Sequence, residues 1–143
     1  MAFDDLTKAL SSPETAYWHA TFEIKGRFPE AEPIIATDPR WAYLYALNII
    51  EGRWPLGEDI ISFSPEESYR YARVVIKGRF IEGEAVIATD TECAYLYARW
   101  VIEGRFIEGE AAIIQEPQWA LDYYNEFKDQ FTEHEQVLWL LKI

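Results

Sequence analysis

Apolar residues recur along the chain in short, regularly spaced groups. Ala94, Tyr95, Tyr97, Ala98, Val101 and Ile102 are apolar, whereas Arg99 and Glu103 break the run. At about 100° per residue these six fall within one arc, so the segment predicts an amphipathic helix. The same group opens at Ala16, Ala42, Ser68 and Ala120. Ser12-Pro13, Asp38-Pro39 and Ser64-Pro65 supply an N-cap oxygen followed by a proline at the first helical position, where the missing N–H costs nothing. Glu67 completes a capping box with Ser64. Gly26, Gly52, Gly78 and Gly104 are expected to end these helices in the left-handed conformation. An arginine, an aromatic residue and "PEAE", "PLGE" or "IEGE" then lead to an apolar pair such as Ile34-Ile35 or Val86-Ile87. Pro29 and Pro55 suit a second helix start, and Glu30, Glu32, Glu82 and Glu84 lie in its first turn, where the helix dipole favours carboxylates.

The octapeptide GRFIEGEA stands at 78–85 and again at 104–111, an interval of 26 residues. Shifting the whole chain by that interval exposes weaker copies at Gly26-Arg27-Phe28 and Gly52-Arg53-Trp54. Each unit therefore reads as helix, tight turn, shorter helix, and since neither helix alone hides its apolar stripe, successive pairs must stack. The expected fold is all-α: a short α-solenoid forming one domain, with an N-terminal cap at 1–12, four repeats at 13–116, and a partial repeat with a C-terminal cap helix at 117–143. The last unit replaces the turn with Gln130-Phe131. Thr132 to Glu135 reads as another capping box, and the stripe Val137, Leu138, Leu141 is expected to close the far end of the core. In the recurring places, the glutamate pairs are expected to serve the second helices' N-termini and the adjacent arginines. Arg27, Arg53, Arg79 and Arg105 are expected to cap the preceding helix carbonyls.

Half of the residues are hydrophobic, too many for a disordered acidic tail even at a net charge of −12. That charge disfavours direct nucleic-acid binding and attracts basic protein surfaces. Cys93 is the single cysteine and forms no internal disulfide. The chain shows neither an apolar run of membrane-spanning length nor a signal peptide, and a cytoplasmic protein without membrane contact is expected. Catalysis has few candidates. His19 occupies the place of Tyr45, Tyr71 and Tyr97 and reads as a ring at the core edge, His134 as a solvated first-turn residue, and Cys93 as a small buried hydrophobe. No enzyme activity, cofactor or metal is expected, although the pairs Glu82/Glu84 and Glu108/Glu110 leave a metal-dependent hydrolase as a third reading.

The segment AYLYARWVIEGRFIEGEA resembles the tandem Ala-Tyr-x-Tyr-Ala…Gly-Arg-aromatic helical repeats of tailed bacteriophages and mobile elements. The resemblance implies a phage or prophage origin, where small acidic proteins inhibit host defence systems, so the host cytoplasm is the expected compartment. It assigns no function by itself, and Ser68 departs from its alanine.

Scaffold places repeat; the outward places of the first helices do not. They hold Trp18, Phe22, Leu44, Leu47, Arg70, Arg73, Leu96, Arg99 and Trp100, residue types that anchor protein interfaces, and form the candidate protein-binding face. An acidic edge along the second helices comprises Glu30, Glu32, Glu58, Asp59, Glu82, Glu84, Glu108 and Glu110. It either imitates a phosphate backbone toward a basic partner or solvates the protein. The expected activity is protein binding, as an inhibitor or adaptor. The alternative is a self-assembling scaffold in which the same face joins copies in a homo-oligomer.

Overall fold

The computed structural model describes residues 3–143, and all secondary structure among them is helical. The eleven α-helices are α1 (Phe3–Ala9), α2 (Pro13–His19), α3 (Glu32–Ile35), α4 (Pro39–Tyr45), α5 (Pro55–Ile61), α6 (Pro65–Arg70), α7 (Ile81–Ile87), α8 (Thr91–Tyr97), α9 (Glu110–Ile113), α10 (Pro117–Phe127) and α11 (Glu133–Lys142). The even-numbered helices from α2 to α10 pack side by side in one layer. In the other, α5 packs against both α3 and α7. This is the expected solenoid of helix pairs. Met1 and Ala2, the start of the proposed N-terminal cap, lie outside the described residues.

The small residue that opens each unit has a steric cause. A Cβ added to Gly83 would lie 2.6 Å from the Phe80 ring and 2.8 Å from Ser68 Cβ, and one added to Gly109 would lie 2.8 Å from Ala94 Cβ. In the third and fourth units the two helices thus cross at glycine against serine or alanine. Ser68 is fully buried, and its hydroxyl donates to the Ile61 carbonyl at 2.9 Å, so the departure from alanine leaves no unsatisfied group.

The first helices end differently from the sequence-based expectation. After α2, α4, α6 and α8 the backbone widens into π turns at Ala20–Ile24, Ala46–Ile50, Tyr71–Ile76 and Ala98–Ile102. The left-handed residue is the one before each glycine: Lys25, Glu51, Lys77 and Glu103, with φ of 58–61°, and no described glycine has positive φ. Widening lets one carbonyl close both ends of the turn, since Ala20 O accepts from Lys25 N at 2.7 Å and Gly26 N at 3.2 Å. A Cβ at Gly26 or Gly52 would meet nothing within 4 Å. The glycines therefore do not provide the left-handed cap.

Cap chemistry holds elsewhere with one exception. Thr132 and Glu135 form the expected capping box. At α6 Ser64 accepts from the Glu67 N–H at 3.3 Å, but no return bond forms because the Glu67 side chain is turned inward and buried. At the C-terminal end Val137, Leu138 and Leu141 are exposed, and Trp139 closes the core instead. Its ring stacks on Tyr123 at 5.3 Å, and its indole N–H donates to Ala120 O at 3.0 Å. That seat fixes the rotation of α11 and sends the predicted stripe outward.

Candidate protein-binding face

The outer face rests on a seam that repeats four times. Tyr45, Tyr71, Tyr97 and Tyr123 are fully buried core residues. Each reaches back into the preceding unit. The Tyr71 hydroxyl accepts from the Trp54 N–H at 2.9 Å and donates to Glu58 Oε2 at 2.5 Å. Arg53 donates to both oxygens of the same carboxylate, at 2.9 and 2.8 Å. The other seams are Arg27–Glu32–Tyr45–Phe28, Arg79–Glu84–Tyr97–Phe80 and Arg105–Glu110–Tyr123–Phe106. The four arginines thus bind side-chain carboxylates, not the helix carbonyls expected, because a planar guanidinium fits a carboxylate in bidentate fashion.

The electrostatics follow from this geometry. The Arg27 hydrogen bond is the main cause holding the Glu32 carboxyl below the usual range. At Glu58 and Glu84 burial pushes upward, but the arginine and tyrosine bonds outweigh it and hold both carboxyls low. Burial, then the carboxylate beside each hydroxyl, drives Tyr45, Tyr71, Tyr97 and Tyr123 above the ordinary phenol range. Consequently Glu32, Glu58, Glu84 and Glu110 are committed to the seam and leave the acidic edge. Glu30, Asp59, Glu82 and Glu108 remain exposed there. Beside them stand exposed Leu56, Ile81 and Ile107 at the starts of the second helices, an apolar row that the sequence reading passed over. Its signal was the isoleucine of IEGE, which recurs without a core role.

On the opposite layer the π turns and first helices display the predicted face. Trp18, Phe22, Arg73 and Trp100 are exposed, and Arg70 and Arg99 half-buried. Leu44, Leu47 and Leu96 lean on the core and are half-buried, so they form the floor of this face. Its two ends differ. Near the N-terminus Trp18 stacks on Phe22 with centroids 5.4 Å apart and meets Trp41 edge-on at 6.1 Å. Trp41 in turn packs on Tyr17 at 5.3 Å, which adds a residue to the face. Toward the C-terminus the guanidinium groups of Arg73 and Arg99 lie over the Trp100 ring, 5.0 and 4.8 Å from its centroid. Arg99 also pairs with Glu126 at 2.5 Å, Arg70 pairs with Glu66 at 2.6 Å, and Arg73 donates to the Tyr69 hydroxyl at 2.8 Å.

The other candidates of the sequence reading resolve simply. His19 packs on Phe28 at 5.2 Å, His134 is exposed, and Cys93 is buried, its thiol pushed up to about 12 by burial and Asp90. Among the described residues no three His, Cys, Asp or Glu side chains converge as a metal site, and no helix is long and apolar enough to cross a membrane. No protein-family model, curated protein or solved structure matches the chain.

Proposed function

We propose that this chain is a non-enzymatic protein-binding module that grips its partner with the first-helix face. The observation that carries this reading is the pair of tryptophans left in solvent, Trp18 at 43% and Trp100 at 48% exposure. Both are held by neighbouring rings or guanidinium groups, as interface anchors are. The net charge of −12 and the exposed carboxylates Glu30, Asp59, Glu82 and Glu108 favour a partner with a basic surface. Together with the resemblance to phage repeats, the reading becomes a small inhibitor acting in the host cytoplasm. It docks on a nucleic-acid-binding or defence-related host protein, with the acidic edge standing in part for a phosphate backbone.

The test is affinity capture from a bacterial lysate with matched variants. Trp18→Ala with Trp100→Ala should abolish capture while helicity is retained; Glu82→Gln with Glu108→Gln should weaken it only at low salt. Capture that survives the tryptophan changes and is lost with the glutamate changes at every salt concentration rejects the face.

A second reading is favoured by α11. Val137, Leu138, Leu140 and Leu141 are exposed on its outer side, which suits a homo-oligomeric scaffold. Leu138→Asp with Leu141→Asp should then convert an oligomer to monomer in sizing experiments; a wild-type monomer rejects this reading.

A further inference from the structure

An open cavity of about 690 Å³ lies at the N-terminal end of the rod, between α1 and the first helix of the first unit. Its walls include the stacked rings of Trp18 and Phe22, three carboxylates (Asp5, Glu14, Glu23) against one lysine (Lys8), and His19. We infer that this cavity receives an arginine side chain of the partner. The inference rests on the protein-binding reading above and specifies the partner group that its aromatic end would hold.

Two features converge on that occupant. The Trp18 and Phe22 rings are nearly parallel, 12° apart, and a flat guanidinium is the cation that stacks on such rings. The carboxylates outnumber the lysine, so a positive group is favoured over a neutral or negative one.

The experiment is a titration of the full chain with the peptide acetyl-Arg-Arg-Arg-amide, followed by backbone and indole NMR shifts near physiological salt. The expected result is shifts concentrated at Trp18, His19, Phe22 and Glu23. Glu14→Gln with Glu23→Gln, and separately Trp18→Leu, should each weaken binding about fivefold. Glu82→Gln with Glu108→Gln should change it by less than about twofold. The equivalent tri-lysine peptide should bind more weakly than tri-arginine. Shifts spread along the acidic edge, or equal losses from both glutamate pairs, mean diffuse attraction and overturn the inference, as does a cavity that does not respond. If Trp100→Ala alone abolishes partner capture while tri-arginine ignores the cavity, this inference falls and the face reading stands. If capture survives loss of both tryptophans, the face reading falls.

Discussion

The buried seams and the outer first-helix face run the length of the same rod, yet one is nearly invariant and the other changes character from end to end. In all four seams the aromatic residue's N–H lies 2.9–3.0 Å from the tyrosine hydroxyl, and that hydroxyl 2.5–2.6 Å from the glutamate. Over the same units the outer face passes from Trp18, Phe22 and Trp41 to Trp100 with Arg73 and Arg99. In each seam the bond between the tyrosine hydroxyl and the aromatic residue's N–H is buried, so losing one of these partners strands the other. Water replaces a lost partner on the outer face. Its composition is consequently free of the fold's demands, which is the physical ground for reading it as recognition.

The contrast predicts its own largest effect. Tyr71→Phe keeps the ring but leaves the Trp54 N–H without an acceptor and Glu58 Oε2 without one of its donors. We expect a loss of about 3 kcal/mol in urea unfolding, against less than about 0.5 kcal/mol for Arg73→Ala on the outer face. Equal losses would erase the distinction between the regions.

Next in size is a pair of glycines. Gly83→Ala places a methyl 2.6 Å from the Phe80 ring and 2.8 Å from Ser68 Cβ, and should cost about 2 kcal/mol by overpacking. Gly52→Ala meets open space and should stay within about 0.5 kcal/mol. The first unit carries Ala31 at the corresponding place, fully buried, so glycine is not demanded there in every unit. The same urea titrations measure both substitutions.

The repeat made the solenoid legible, because a period of 26 residues with one amphipathic stripe leaves helix pairs little choice but to stack. It also exposed Trp18, Phe22 and Trp100 as residues without a scaffold duty. Other features required the third dimension. Nothing local tells Glu84 from Glu82; the first accepts from Arg79 and Tyr97 because a helical offset of two residues turns it inward, while the second stays in solvent. The tyrosine's partner lies 17 residues back, across a unit boundary, beyond the reach of helix periodicity. The left-handed residue shifted by one because a π turn adds a residue that an α-helical count omits. One miss had a readable signal: four intervals of 26 from Ile35 lead to Trp139, which fills the same core place and turns Leu141 outward.

A smaller effect concerns the third unit, where the slot held by Trp41 and Trp119 carries Glu67. The residue is 6% exposed, Oε1 is 3.3 Å from Arg70 Nη1, and Oε2 has no hydrogen-bond partner among the described residues. Burial raises its pKa above the ordinary 4.5, with Glu66 and Asp38 pushing the same way and Arg70 and Arg40 opposing. A raised folded pKa gives a stabilising contribution that is present below the unfolded value and lost as pH rises through the folded one. Glu32, Glu58 and Glu84, held low, act in the opposite window: their contribution is present above the unfolded value and lost as pH falls through their folded values. Glu67→Gln should therefore stabilise the protein by about 1 kcal/mol at pH 8 and leave the acid limb below pH 4 unchanged. Thermal melts across pH measure this, and an unchanged alkaline limb rejects it.

The smallest effect lies where seam and face meet, at the four left-handed residues that close the π turns. They alternate in charge, Lys25, Glu51, Lys77, Glu103, although each occupies the negative end of a helix, where a cation is favoured. Glu51→Lys should accordingly stabilise by about 0.5 kcal/mol at low salt, and Lys77→Glu should destabilise by a similar amount. Both changes should fade as salt rises. All four residues have nearly the same φ, 58–61°, so backbone strain cancels from the comparison and the measured difference reports charge alone. An effect that persists at high salt would instead assign the alternation to side-chain contacts and move these residues from the face to the scaffold.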